Sequence, residues 1–442
     1  VGIPVRILTD DFAHSRSVYL ARGRRALFLH PALVFSIVWL GVSLLYSLHL
    51  SAILQYSATE AFTVAAHLWL PFAIVALGYS FMHHLVELTH PARKRDRDPD
   101  LALLERRLKI WFRVWIAISL MEIAVSGGLP LIWLITRSSK TYMDFGITSV
   151  HGLVNSLLIS IALCRLALFL ITGRRRHLLI PAFALVWSVL AVTRNLMIVS
   201  LLEFAVLFLQ MRPIKAATAI KFIAVLLCLI LVFGIVGDFR QGSSDAILLL
   251  AQPTDNYPEW LPSGVLWAYI YITTPINNLI YNMHVTHPVD SIAFPNTVAT
   301  LFPTVLRIAV YGSHLSDTES GQLVDSAFNV STAYIGPYED YGIAGMALFS
   351  MFIAFLSQLF WYRRSLQSVL MFAVVMQCLV LTLFFNHFFA LPIISQLAWL
   401  AYFFVPEGRI GVARRGAGST TISRNGNRTA CDEGTRRTEA DE

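Results

Sequence analysis

Arg194 lies at the outward turn of a hairpin of two apolar segments, "LLIPAFALVWSVLAVTRNLMIVSLLEFAVLFLQ". Arg240 closes the next apolar segment at a similar depth, in "VFGIVGDFRQG". Two guanidiniums at one level repel unless an anion joins them, and the planar fork of arginine donates paired hydrogen bonds to phosphate. Each also has a plainer reading: a snorkelling anchor for Arg194, and an ion pair with Asp238 for Arg240. Arg307, in "PTVLRIAV", is a third candidate on the same side.

A second concentration of chemistry is "NVSTAYIGPYEDYGIAGM", residues 329–346, which leads into a long apolar run. Asp340 and Glu339 fall where a helix would begin, and a helix N-terminus favours negative charge, so Asp340 serves as an N-cap on the structural reading. Gly342 and Gly345 permit close helix packing. Asn329, Thr332, Tyr334 and Tyr338 are left over by those explanations. Hydroxyls, amides and flat aromatic faces in one stretch suit sugar recognition. Glu122 and Glu203 sit inside apolar segments and either carry a proton or bond a neighbouring helix. With no acid–histidine ladder evident beside them, a proton relay is the weaker reading. His284, His287, His314 and His387 lie on the outer side, where a lone histidine is more often a hydrogen-bonding group than a base.

The elements that must hold these residues follow from composition. The chain has 442 residues, 56% hydrophobic and 14% charged, with the apolar residues in blocks. A block of about 20 is what a helix needs to cross hydrocarbon while bonding its own backbone. The expectation is an all-α, polytopic transmembrane bundle of about ten spans: 27–47, 61–86, 110–135, 149–172, 178–193, 195–211, 220–237, 341–361, 366–386 and 391–405. Segment 127–136 reads as a broken end of the third span. Segment 264–283, "GVLWAYIYITTPINNLIYNM", is apolar, but Thr273, Thr274, Pro275, Asn277 and Asn278 argue against crossing.

Basic clusters set the orientation. Arg22, Arg24, Arg25, Arg93, Lys94, Arg95, Arg174, Arg175, Arg176, Arg212, Lys215, Arg363 and Arg364 share one side if 264–283 does not cross. Both termini are then cytoplasmic, and the net charge of +7 expresses this bias without implying nucleic acid. The opposite face keeps few cations, namely Arg137, Lys140, Arg194, Arg240 and Arg307. The organisation expected is helices and short loops over 1–237, a large external loop over 238–340 with amphipathic helices along the membrane surface, more spans over 341–407, and a disordered cytoplasmic tail over 408–442. The first span is expected to act as the targeting signal. Cys164, Cys228 and Cys378 fall inside spans, leaving no external pair for a disulfide, and no cluster has metal-ligand spacing.

In these patches the chain resembles bacterial O-antigen polymerases of the Wzy type, the oligosaccharide repeat-unit polymerases. Four patches carry the resemblance in order: "SGGLPLIWLITRSSKTYMDFGITSVHGLVNSLLI" (126–159), "VTRNLMIVSLLEF" with Arg194, "GDFRQG" with Arg240, and "NVSTAYIGPYEDYGIAGM". The resemblance implies a GT-C-like helical fold in the bacterial inner membrane, with a glycosyltransferase site on the periplasmic face. Donor and acceptor would be undecaprenyl-pyrophosphate-linked oligosaccharides, with no cofactor, no nucleotide sugar and no metal. A polysaccharide chain-length regulator is a further possible partner.

On that basis Arg194 and Arg240, with Arg307, are assigned to the leaving pyrophosphate, where preorganised cations act most strongly. The acceptor hydroxyl needs a base: Asp340 first, then Glu339 and His314. Asn329, Thr332 and Tyr338 orient sugars, and Tyr142 and Asn278 are counted with them as substrate-binding residues. Two other functions compete. One is an O-antigen ligase acting on lipid A core, and the other is a polysaccharide or lipid transporter.

Overall fold

A computed structural model describes residues 27–89, 100–212, 244–258, 260–312, 321–325, 328, 330–363 and 365–406. The expected seventh span (220–237), Arg240, His314, Asn329 and the tail from 408 lie outside the described residues. The chain to Phe404 forms one compact unit, and the described residues of the large loop fold with the helices within it.

The described residues are helical, with a single isolated bridge between Ser51 and Pro253. The helices are α1 (Pro31–Tyr46), α2 (Ala58–Thr89), α3 (Leu101–Ser126), α4 (Pro130–Ile135), α5 (Val150–Thr172), α6 (Leu179–Leu190) and α7 (Arg194–Met211). They continue with α8 (Ser244–Ala251), α9 (Ser263–Val285), α10 (Pro295–Val298), α11 (Thr304–Tyr311), α12 (Ile335–Tyr362), α13 (Leu366–Val380) and α14 (Leu391–Phe403). Among the described residues six segments are long and apolar enough to cross a membrane: α2, α3 with α4, α5, α7, α12, and α13 with the turn to Leu383. The chain is a helical, multi-pass membrane protein.

The outward faces explain why lipid is the solvent. Leu70, Ile74, Leu77 and Phe81 on α2, and Leu348, Phe352 and Phe355 on α12, are exposed. A contiguous apolar surface of that kind is not tolerated in water. By contrast, α5 has 89% of its apolar window buried, against 28% for α3, and so it is the central helix. It packs on α3, α6, α7 and α14, while α12 packs chiefly on α2. Hydrophobicity on all faces is what a helix with neighbours on every side requires.

Turns 47–57, 127–149, 191–193 and 384–390 gather at one end of the bundle, called upper here. At the lower end Arg107 Nη1 donates to the carbonyls of Tyr402 (3.3 Å) and Phe403 (3.0 Å), and Arg176 meets Glu105 at 3.1 Å. The break after α3 falls where expected: Gly127 and Gly128 both have positive φ (76° and 145°), and α4 restarts at Pro130.

Two elements are more elaborate than expected. The helix carrying Asp340 starts at Ile335, and non-helical Tyr341 and Gly342 (φ 59°) divide it, so its longer part opens where the span was expected. Gly345 is needed because a Cβ there would lie 2.0 Å from the Pro337 carbonyl oxygen. The segment expected to be amphipathic is α9, and its polar residues face inward. Thr273, Asn277, Asn278 and Asn282 are all buried. Along α9, Tyr269 Oη accepts from Leu50 N (3.3 Å), Asn277 Nδ2 donates to Ile53 O (3.1 Å), and His284 meets Glu60 at 3.0 Å. Residues fifteen positions apart thus meet one short stretch, 50–60, so α9 runs across the upper turns. Its asparagines supply what irregular backbone cannot supply itself.

Candidate substrate-binding site

At the upper end a cavity of about 160 Å³ opens between α5, the start of α7 and the start of α14. Its walls include Asn155 and Ser156 of α5, Thr193 and Asn195 beside Arg194, and His387 and Gln396. Three local features build it. Gly152 lets α14 approach, since a Cβ there would meet Pro392 Cγ at 2.9 Å. The turn into α7 is tight, with Val192 at φ 54° and Thr193 N donating to Ser188 O (3.0 Å). Thr193 then caps α7 without a side-chain bond to its first amides, and the exposed Arg194 is the first helical residue. A helix N-terminus whose amides lack a side-chain cap, with a guanidinium on it, favours an anion at the cavity mouth.

Behind Asn155 stands a polar relay. His151 Nδ1 donates to Glu122 Oε2 (3.2 Å), and Asn155 Nδ2 donates to His151 Nε2 (2.9 Å). Trp187 Nε1 donates to Asn155 Oδ1 (3.2 Å), and Ile147 N donates to Glu122 Oε1 (3.3 Å). Each donor meets an acceptor when the His151 ring carries its hydrogen on Nδ1. Gly146 makes room: it has φ 89°, and a Cβ there would lie 2.6 Å from the His151 ring. Phe145 packs edge-on against the same ring. Glu122 therefore does have a histidine partner, contrary to expectation. The pair was hidden because 29 residues separate its members.

The second buried acid, Glu203, bonds a neighbouring helix: Gln396 Nε2 donates to its Oε2 (2.7 Å). Glu203 Oε1 and Gln396 Oε1 have no partner among the described residues. On the loop before α14, Gln377 Nε2 donates to His387 Nδ1 (2.7 Å). Burial lowers the His387 pKa to about 4, so its ring stays neutral near pH 7. With Nδ1 accepting, the ring proton is on Nε2.

The acidic patch braces this site from one layer away. Asp340 is fully buried and is not an N-cap of its own helix, whose N-cap is Tyr334. Its Oδ1 accepts from Asn296 N (2.9 Å) and Asn296 Nδ2 (2.8 Å), and its Oδ2 from Thr297 N (2.8 Å) and Thr297 Oγ1 (2.6 Å). The carboxylate thus caps α10, and the physical preference for an acid at a helix start is met on a different helix. Segment 297–300 in turn holds the cavity's loop: Asn386 Nδ2 donates to Thr297 O (3.1 Å) and Thr300 Oγ1 to Phe389 O (3.3 Å).

The remaining expected residues are spread out. Glu339, next to Asp340, is half-buried, with no side-chain hydrogen bond or ion pair among the described residues. Thr332 Oγ1 accepts from Tyr334 N (3.2 Å), and Tyr338 Oη donates to Met283 O (2.9 Å). Asn278 is fully buried: its Nδ2 donates to Phe328 O and Val330 O, and its Oδ1 accepts from Val324 N. Tyr142 is exposed in the turn after α4, and Arg307 is on α11, shortly after Thr300. Among the expected site residues that are described, Arg194 alone adjoins the cavity, between its lining residues Thr193 and Asn195. His151, Asn155 and Gln396 were not expected to act, although His151 and Asn155 fall inside the first quoted patch.

No protein-family model matches the chain, and neither curated proteins nor solved structures give a match. Among the described residues no group of three His, Cys, Asp or Glu could hold a metal ion.

Proposed function

We propose that this protein is a glycosyltransferase of the O-antigen polymerase type, joining undecaprenyl-pyrophosphate-linked oligosaccharides in the bacterial inner membrane. The carrying observation is convergence. Residues from the first quoted patch (Asn155, Ser156) and the second (Thr193, Asn195) line one cavity. Asp340 of the fourth holds the segment that supports the cavity's loop. The ten-span, GT-C-like topology, cytoplasmic termini and a periplasmic upper end belong to the same reading.

In the reaction, the anomeric C–O bond to the lipid pyrophosphate breaks. A hydroxyl of the incoming unit forms the new glycosidic bond, and its proton passes to a base. The leaving group gains negative charge, which Arg194 and the start of α7 offset, with Arg240 and Arg307 as further cations. A base needs a free lone pair. The Asp340 oxygens are filled by four donors, so the role passes to Glu339, the open carboxylate beside it.

The test supplies purified protein in nanodiscs with lipid-linked repeat units and no lipid A core. The expected product is a ladder of lengths, lost in Arg194→Ala. Transfer that occurs only when lipid A core is added identifies a ligase. Movement of lipid-linked units between leaflets with no new bond identifies a transporter.

A further inference from the structure

We propose that the cavity beneath Arg194 is a subsite for one neutral, hydroxyl-bearing sugar ring, read by Asn155 and Gln396 and adjoining a phosphate held at the mouth. This rests on the polymerase reading and names the sugar that its site accepts.

The argument begins with hydrogen bonds left open. Gln396 is 0% exposed and lines the cavity, its Nε2 is committed to Glu203, and its Oε1 has no partner. A buried acceptor without a donor costs about 1–3 kcal/mol, and a ligand O–H or N–H relieves it. Asn155 is fixed from both ends, its Nδ2 by His151 and its Oδ1 by Trp187. An amide nitrogen has two hydrogens, so one N–H of Asn155 remains available. One wall thus holds an unpaired acceptor just beneath its surface and another an amide N–H, and a sugar hydroxyl can serve as the complement of either once the Gln396 amide turns to meet it.

Size and polarity agree. About 160 Å³ corresponds to on the order of ten water-sized positions, suited to one ring and not to an oligosaccharide. Ile159, Val199 and Ile393 give apolar wall against which the C–H face of a ring can pack. The polar wall is neutral: three amides, hydroxyls and the His387 imidazole. A carboxylate-bearing sugar would face the unpaired Gln396 oxygen, an acceptor with no hydrogen to give, and no lysine or arginine is among the lining residues, so uronic acids are disfavoured. Negative charge belongs outside, at Arg194. Glu122 and His151 act as positioning residues, because they hold the Asn155 amide in one orientation.

The experiment uses the full chain in nanodiscs and saturation-transfer NMR. The probes are neutral methyl glycosides (gluco, galacto, manno, rhamno and N-acetylglucosamino), the matching methyl uronides, and the 1-phosphates of the neutral sugars. At least one neutral glycoside should bind and the uronides should not. Gln396→Leu should weaken that binding about tenfold, the loss of one buried hydrogen bond. Val199→Phe, which fills the cavity from α7, should abolish it. The matching 1-phosphate should bind more tightly than the glycoside, and Arg194→Ala should erase that advantage. The proposal is overturned if no neutral glycoside binds, if uronides bind equally well, or if either cavity variant, folded by its unfolding midpoint, binds like the parent. A ladder made from lipid-linked units by Gln396→Leu with unchanged KM removes the subsite and leaves the polymerase. Sugar binding that is lost in both variants, in a protein that makes no ladder, keeps the subsite and removes the polymerase.

Discussion

Two buried polar regions occupy the upper end of this bundle, and they differ in how completely they are satisfied. Around α9 and α10 most of the polar groups singled out above are taken up, Glu339 and Asn386 Oδ1 excepted: Asp340 accepts four hydrogen bonds, and Asn277 and Asn278 each serve both as donor and as acceptor. Around the α5–α7–α14 cavity the network is incomplete, ending at Gln396 Oε1 and Glu203 Oε1. A closed network specifies a fold, whereas an open one next to a cavity awaits a ligand. The more acidic and conspicuous of the two regions in sequence is the structural one.

The comparison can be broken in several places. The largest effect is expected for Arg194→Ala, with polymer formation lowered about 100–1,000-fold, as when a preorganised charge is removed from a transition state. Its unfolding midpoint should barely move, because the side chain is exposed; a large loss of stability would place Arg194 in the structural group. Next is Asp340→Ala, which strands four donors, the two of Thr297 buried, and should cost about 3 kcal/mol or more in stability. Thermal unfolding in detergent measures it, and a stable but inactive Asp340→Ala would return Asp340 to the chemistry. Asn278→Leu should cost about 1–3 kcal/mol, by releasing the 324–330 backbone from α9. Reading out the same midpoint, Gln396→Leu should cost less than Asn278→Leu, since one of its two polar atoms bonds nothing.

The smallest effect near neutrality is a pH dependence from His387. Its folded-state pKa is about 4 against 6.5 for a solvated imidazole, so the unfolded chain takes up the proton first. Its stability contribution is whole above pH 6.5 and declines as pH falls from there towards 4. His387→Gln should flatten that part of the profile. An unchanged slope would mean that the imidazole is not buried neutral.

Much of the bundle was legible because lipid imposes a simple rule on it: long apolar blocks became α2, α5, α7, α12 and α13, and the Gly-Gly-Leu-Pro break after α3 fell where the residues placed it. Tyr341 and Gly342 do mark the opening of the expected span, but the short helical stretch from Ile335 that precedes them was not legible. The polar residues of α9 correctly argued against a simple span, but sequence could not tell that they face inward to bond turns from distant parts of the chain. The site was legible only in part. Arg194 declared itself by its scarcity. The Glu122–His151 and Glu203–Gln396 pairs join residues 29 and 193 positions apart, and no local periodicity carries that information.

The most direct measurement is a density map of the protein with an undecaprenyl-pyrophosphate-linked repeat unit bound. The pyrophosphate should lie against Arg194 and the start of α7, with its attached sugar inside the cavity within hydrogen-bonding distance of Gln396 Oε1. A headgroup seated on another face of the bundle, with this cavity empty, would contradict the account.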